Sequence, residues 1–322
     1  MDQSLSRDLH DRRGFLTGTL ALASGATLGS ISSTNAAHHE TSDEGKGEFK
    51  FGLNMSTIRG QELDAAEEIE VAGKAGYDAI EPWFRRINEY VEAGGKLTDL
   101  KKRIDDHGMT VDSAIGFATW IVNDPKARAA GLEEARRDMD TIAQIGGTRI
   151  AAPPAGAKKD EVIELEAAAE RYHALLELGK VMGVTPQIEM WGGHHTIGTV
   201  EKAIAIAIAA GHPDACFLGD VYHTYKGGSS FDSLRLLSAN ALQTYHFNDY
   251  PADPPRESIK DADRVFPGDG IAPIAEIVSH FRAVGASPVL NLELFNREYW
   301  EMDALECAKT GLAKMKAAVE GA

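Results

Sequence analysis

Residues 186–195 read PQIEMWGGHH, a short apolar run that closes on one acid, Glu189, and then gives way to Trp191, two glycines and two histidines. A carboxylate at the end of a buried strand is costly unless it meets a partner there. The rest of the chain repeats the arrangement. Short β-rich runs end at FGLNMST, AIEPW, TVDSAIG, RIAAPP, PQIEMW, CFLGDVYH, QTYHFNDY and VLNLELFN, eight of them from Phe49 onward. Amphipathic segments separate them: ELDAAEEIEVAGKAG, DLKKRIDDHG, LEEARRDMDTIAQIGG, VIELEAAAERYHALLELGKVMG, TVEKAIAIAIAAG, SFDSLRLLSAN, IAPIAEIVSHFRAVG and LECAKTGLAKMKAAVEG. Most end in glycine, as helix C-caps do. Strands alternating with helices pair in parallel, and eight such units predict an α/β fold, a single (β/α)8 TIM barrel over residues 49–322. The competing doubly wound open sheet needs a Gly-rich phosphate loop after its first strand, and NMSTIRG is not one.

In such a barrel, residues at the C-terminal ends of the strands surround one mouth. Read at that position, the last four strands supply Glu189, Asp220, His246 and Glu293, spaced 31, 26 and 47 residues apart. That is about one strand-and-helix unit each, with a longer loop in the last. Taken singly, each of these reads as readily as an ion-paired or hydrogen-bonded core residue. Four in consecutive strands favour a shared ligand, because unpaired charges on apolar strands cost several kcal/mol each, roughly. Three carboxylates and one imidazole form a hard site for a divalent metal, Mn²⁺ first, with Mg²⁺, Co²⁺, Zn²⁺ and Fe²⁺ as alternatives.

The first forty residues have a different character. DRRGFLTGTLALASGATLGSISSTNAA carries Arg12 and Arg13, then an apolar stretch broken by Gly and Ser, then small residues. This is the order of an export signal of the twin-arginine type, over residues 1–37, with a polar linker over 38–48. The stretch is too short and interrupted to span a bilayer, so the expectation is passage through the twin-arginine translocation machinery to the periplasm, with no stable membrane span. Formal net charge is −16, and the leader's Asp2, Asp8 and Asp11 balance Arg7, Arg12 and Arg13, so the excess belongs to the mature part. So negative a surface repels phosphate backbones and argues against a nucleic-acid partner. Cys216 and Cys307, in separate apolar elements, read as core residues rather than a disulfide.

The motifs IEMWG with Glu189, GDVYH with Asp220 and His223, YHFND with His246 and LNLELFN with Glu293 resemble the xylose isomerase-like barrel superfamily. Within it, they are most similar to the sugar isomerase/epimerase group that includes ketose 3-epimerases and inosose dehydratases. The resemblance covers Phe49 to the C-terminus. It implies that Glu189, Asp220, His246 and Glu293 bind the metal, that His223 contacts a substrate oxygen, and that Glu189 and Glu293 exchange protons on the two faces of the substrate. It also implies an arginine before a PG-x-G turn, matched by Arg264 in DADRVFPGDG; the apparent insertion PADPPRESIKDA makes Arg256 a competitor.

The expected function is therefore metal-dependent isomerisation or epimerisation of a sugar, keto-sugar or polyol through a metal-stabilised enediolate. The same ligands permit a lyase or dehydratase on a keto-sugar, keto-glycoside or inosose. An apurinic-endonuclease-type nuclease and a non-catalytic sugar binder rank below both. Trp191 is expected as a wall against a sugar face, His195 or its neighbour His194 as a pocket contact, and Glu81 as a hydroxyl ligand or a partner of Arg85 or Arg86. Lys226, Gly227 and Gly228 do not form a Walker sequence and read as ordinary loop. Substrate identity and oligomeric state are left open.

Overall fold

The computed structural model describes residues 49–322, so the expected leader and linker, residues 1–37 and 38–48, lie outside the described residues. Eight parallel strands follow in order: β1 (Phe51–Asn54), β2 (Ala79–Glu81), β3 (Thr110–Val111), β4 (Arg149–Ala152), β5 (Thr185–Glu189), β6 (Phe217–Asp220), β7 (Leu242–His246) and β8 (Val289–Leu292). Their order in the sheet is β3-β2-β1-β8-β7-β6-β5-β4. Strand β1 pairs with both β2 and β8, so Leu53 faces Ile80 on one side and Leu292 on the other. The ladder stops at β3 and β4. There the Ala151 N–H donates to the Ala114 carbonyl at 2.9 Å, and the Arg149 guanidinium reaches Asp112 Oδ1 at 3.1 Å. The result is the expected TIM barrel, with one lightly joined seam.

Local sequence explains the helices that brace it. Asp64 accepts from the Ala66 and Glu67 N–H groups while Glu67 reaches back to the Asp64 N–H, a reciprocal cap that starts helix Ala65–Ala75. Gly76, at φ 90°, ends that helix in the left-handed conformation that a side chain would oppose. On helix Leu165–Met182, the buried Tyr172 hydroxyl accepts from the Ile188 N–H at 3.2 Å and donates to the Pro186 carbonyl at 2.9 Å. This fixes the strand that carries Glu189. The apolar faces of the helices and the outward side chains of the strands form one continuous core.

One expected helix is corrected. SFDSLRLLSAN forms two short 3-10 turns, Phe231–Leu236 and Ala239–Ala241, while the α-helix of the sixth unit is Val221–Gly227. Ser, Asp and Asn compete with the helical backbone for hydrogen bonds, and in the first of these turns only Leu234 is buried. Short helices Phe84–Glu92 and Arg297–Trp300 escape the sequence reading, although the first runs into Gly94 at φ 95°, a helix-ending glycine. Both cysteines are buried and free, and no helix among the described residues is long and apolar enough to cross a membrane.

Candidate active site

Each of the last four expected strand ends delivers its polar residue to the mouth. Asp220 closes β6, His246 closes β7, and Glu293 follows directly on β8. One donor atom from each of these three lies within 4.8 Å of the other two, and all three residues are buried. His246 Nδ1 is 3.1 Å from Glu293 Oε2 and 3.4 Å from Asp220 Oδ2. Asp220 spends its other oxygen on the fold: Oδ1 accepts from the His223 N–H at 2.8 Å and so caps helix Val221–Gly227. Asn248 Nδ2 holds both Asp220 oxygens at 3.3 Å.

Glu189 closes β5 at the same cavity but stands outside that three-residue cluster. Its Oε1 accepts from the Trp191 indole N–H at 3.2 Å, and its buried Oε2 has no partner. The two glutamates differ in ionisation. Burial, reinforced by Glu293 and only partly offset by His246, pushes the Glu189 carboxyl up to about 8. Burial also opposes ionisation of Glu293, but His246 and Arg264 outweigh it and hold that carboxyl below its ordinary value. Asp220 likewise overcomes its burial, through Arg264 and the two histidines, and lies well below the carboxylate range. Against its own desolvation, His246 is driven well above the ordinary histidine value by Glu293 and Glu81.

Of the two candidate arginines, Arg264 lines the cavity and Arg256 does not. Arg264 is buried, with Nη1 donating to Glu293 Oε2 at 2.7 Å and to Asp220 Oδ2 at 3.1 Å. It is aimed by a backbone bridge between Val265 and Asp249, whose carboxylate also accepts from the Gly268, Gly270 and Ala272 N–H groups of the PGDG turn. Arg256 instead packs near the Tyr225 ring, 5.9 Å from its centroid. The PADPPRESIKDA insertion is tied down by Lys226, whose Nζ donates to the carbonyls of Arg256, Glu257 and Ile259 at 2.8, 3.1 and 2.9 Å.

Two expectations need correction. Glu81 neither pairs with Arg85 or Arg86 nor lines the cavity; it is fully buried behind His246, 2.9 Å from Nε2, and accepts from Asn54 Nδ2 at 2.7 Å. Glu81 ends β2 in register with Asn54, and the His246 imidazole covers it. His195 is exposed and spends its N–H on the Lys159 carbonyl, whereas His194 is buried and lines the cavity. The turn at Gly193, φ 86°, decides which of the two neighbours faces inward.

The cavity is about 500 Å³. Trp83, Phe117, Trp191 and Phe295 form an aromatic arc, with successive ring centroids 5.4 to 6.2 Å apart, opposite the charged groups. Two imidazoles complete it. Gly192 N–H points at His223 Nδ1 and Arg264 Nη2 at His223 Nε2, each at 3.1 Å; a neutral imidazole can accept from only one of these two donors, so the tautomer decides which ring nitrogen is left to donate. A Cβ on Gly192 would come within 2.7 Å of the His223 carbonyl, so only glycine allows this approach. His194 Nδ1 accepts from the Thr196 and Ile197 N–H groups, leaving a buried Nε2 without a partner. Asn54, Asn248, Trp83, Phe117 and Phe295 escape the sequence reading, because each earns its place only through contacts with distant strands.

The donor set fits a divalent cation. Two carboxylate oxygens and one imidazole nitrogen converge, Glu81 braces the far nitrogen of that imidazole, and Glu189 Oε2 is buried without a hydrogen-bond partner among the described residues.

Comparison with known proteins gives the family. Over 275 residues the chain is 26% identical to an inosose isomerase of Bacillus velezensis, covering 84% of this chain and 97% of that protein. It is 23% identical over 239 residues to a D-psicose 3-epimerase of Agrobacterium fabrum, covering 70% and 78%. Among solved structures, an IOLI protein with a binding zinc atom superposes with a TM-score of 0.78 at 24% identity, covering 84% of this chain and 98% of that one. The family model described as xylose isomerase-like TIM barrel matches residues 69–318, and the chain belongs to that family.

Proposed function

We propose that this protein is a divalent-metal-dependent isomerase or epimerase of a sugar, keto-sugar or cyclic polyol ketone. The observation that carries the reading is the pair Glu189 and Glu293, which line one cavity at a three-donor cluster that includes Glu293, in surroundings that push their carboxyls in opposite directions. Paired groups whose environments drive their pKa values apart serve as acid and base. Asp220, His246 and Glu293 would hold the cation, with Glu189 Oε2 a fourth donor, and third oxygen, at the same cavity. Bound there, a divalent ion supplies the charge that polarises a ketone carbonyl and acidifies the adjacent C–H; manganese heads the candidates on donor hardness.

The chain's own groups account for the rest. Ionised Glu293 takes the proton from the carbon beside the carbonyl, and protonated Glu189 delivers one to the resulting enediolate; the roles exchange in the reverse direction. The imidazoles of His223 and His194 orient hydroxyl oxygens, and the aromatic arc presses on the apolar face of the ring and excludes water. The relatives named as inosose isomerase and psicose epimerase support this substrate class.

The test is solvent-deuterium incorporation across a panel of free ketoses, inososes and keto-glycosides, with metal analysis of the same preparation. Exchange at one carbon without loss of water or aglycone, abolished in Glu189→Gln, is expected. An elimination product assigns the lyase or dehydratase chemistry instead, and a metal-free protein with full activity overturns the proposal. We further propose export through the twin-arginine route on the Arg12–Arg13 motif; unchanged periplasmic recovery of an Arg12→Lys/Arg13→Lys variant would contradict it.

A further inference from the structure

A second cavity, of about 700 Å³, opens among the loops that follow β8, β1 and β2, three neighbouring strands. It gathers four guanidinium groups: Arg59 from the 3-10 helix Met55–Gln61, Arg85 and Arg86 from helix Phe84–Glu92, and Arg297 from helix Arg297–Trp300. In a chain of net charge −16 this is a local reversal of sign.

The carboxylates nearby do not balance it. Arg85 and Arg86 share one acid, Glu89, at 3.1 and 2.9 Å. Arg86 also lies 4.0 Å from Glu68, but burial pushes that carboxyl up to about 8, so it contributes little negative charge near neutrality. Glu62 and Glu301 line the cavity, yet Arg59 and Arg297 form no ion pair among the described residues. Both are instead held against aromatic rings: Arg59 lies 5.0 Å from the Trp300 centroid, 5.1 Å from Trp83 and 5.2 Å from Phe295, and Arg297 lies 4.1 Å from Trp300. Stacking orders a guanidinium while leaving its N–H edge free to donate in bidentate fashion. The packing is built for this. Gly60 lets Trp300 approach so closely that a Cβ there would meet its side chain at 2.2 Å. Burial, and then Arg85 and Arg297, make the Arg59 charge less favourable than in water, a cost that an anion would relieve.

We propose that this cleft binds a small oxyanion, a carboxylate or a phosphate, through Arg59 and Arg297, with Arg85 and Arg86 adding charge at its rim. Trp83 and Phe295 connect it to the candidate active site, since both rings line that cavity and contact Arg59. The oxyanion is either a separate small molecule or the charged end of the substrate.

Calorimetric titration of the purified, metal-loaded protein with inorganic phosphate, and separately with citrate, tests this without requiring turnover, so it is independent of the proposed reaction. Saturable one-to-one binding is expected, weakened at least tenfold in Arg85→Gln/Arg297→Gln, two exposed positions whose replacement leaves thermal unfolding and turnover of neutral substrate unchanged. If the anion belongs to the substrate, the double variant also erases any kcat/KM preference for a carboxylated or phosphorylated ketose over its neutral parent. If it is a separate molecule, titration is unaltered by saturating neutral sugar. Binding that is not saturable, or that survives unchanged in the double variant because the anion sits beside Arg264, overturns the proposal.

Discussion

The Nε2 atom of His246 lies 2.9 Å from Glu81 Oε2, and neither side chain has any exposure to solvent. The contact turns the other ring nitrogen toward Asp220 and Glu293, so Glu81 acts on the site only by positioning the imidazole. Replacing it with Gln keeps the volume but removes the charge that raises the basicity of His246. Glu81→Gln should weaken divalent-metal affinity by roughly 10–100-fold, read by competition with a chromogenic chelator, while the fold survives. Equal affinity in the two proteins would remove Glu81 from that role.

Trp191 is both a wall of the cavity and the donor to Glu189 Oε1 at 3.2 Å. Its N–H stabilises the ionised carboxylate, so Trp191→Phe, which keeps the ring and loses the donor, should move the Glu189 limb of the pH–rate profile to higher pH. A purely steric wall would change KM and leave the profile in place.

Glu68, on helix Ala65–Ala75 and away from the candidate active site, gives a stability test. Burial raises its carboxyl from the ordinary 4.5 to about 8, so the folded state keeps a proton that the unfolded chain releases between those values. The stabilisation is complete below pH 4.5, falls by about 1.4 kcal/mol per pH unit as pH rises, and levels off above 8. The total is on the order of 5 kcal/mol. Glu68→Gln should therefore unfold at nearly the same denaturant concentration as the parent at pH 5 and at a clearly higher one at pH 8.5. Parallel stability curves would contradict the assignment.

Lys226 clamps residues 251–262 through three carbonyls. Lys226→Met should make that loop sensitive to limited proteolysis and raise KM several-fold, because Arg264 follows directly from it. Unchanged cleavage kinetics would show that the loop is held by other contacts.

How much of this the sequence revealed follows from the range of the forces involved. The strand ends were legible because alternation and glycine stops are local, and Glu189, Asp220, His246 and Glu293 stood out as acids and an imidazole on apolar strands. Glu81 was visible as an acid at a strand end but not as the partner of His246, 165 residues away. The choice between His194 and His195 rests on one turn conformation, and that between Arg264 and Arg256 on a backbone bridge to Asp249. Of the aromatic arc only Trp191 was legible, for the same reason: its four rings come from four separate loops.

The seam between β3 and β4 divides the labour of the barrel. The cluster donors Asp220, His246 and Glu293 all belong to the continuous ladder from β6 to β8, whereas Ile115, Phe117 and Ala157 border the lightly joined side. The two sides of the cavity therefore rest on different supports: the cluster on uninterrupted backbone pairing, the facing wall on side-chain packing and on the few polar bonds of the seam.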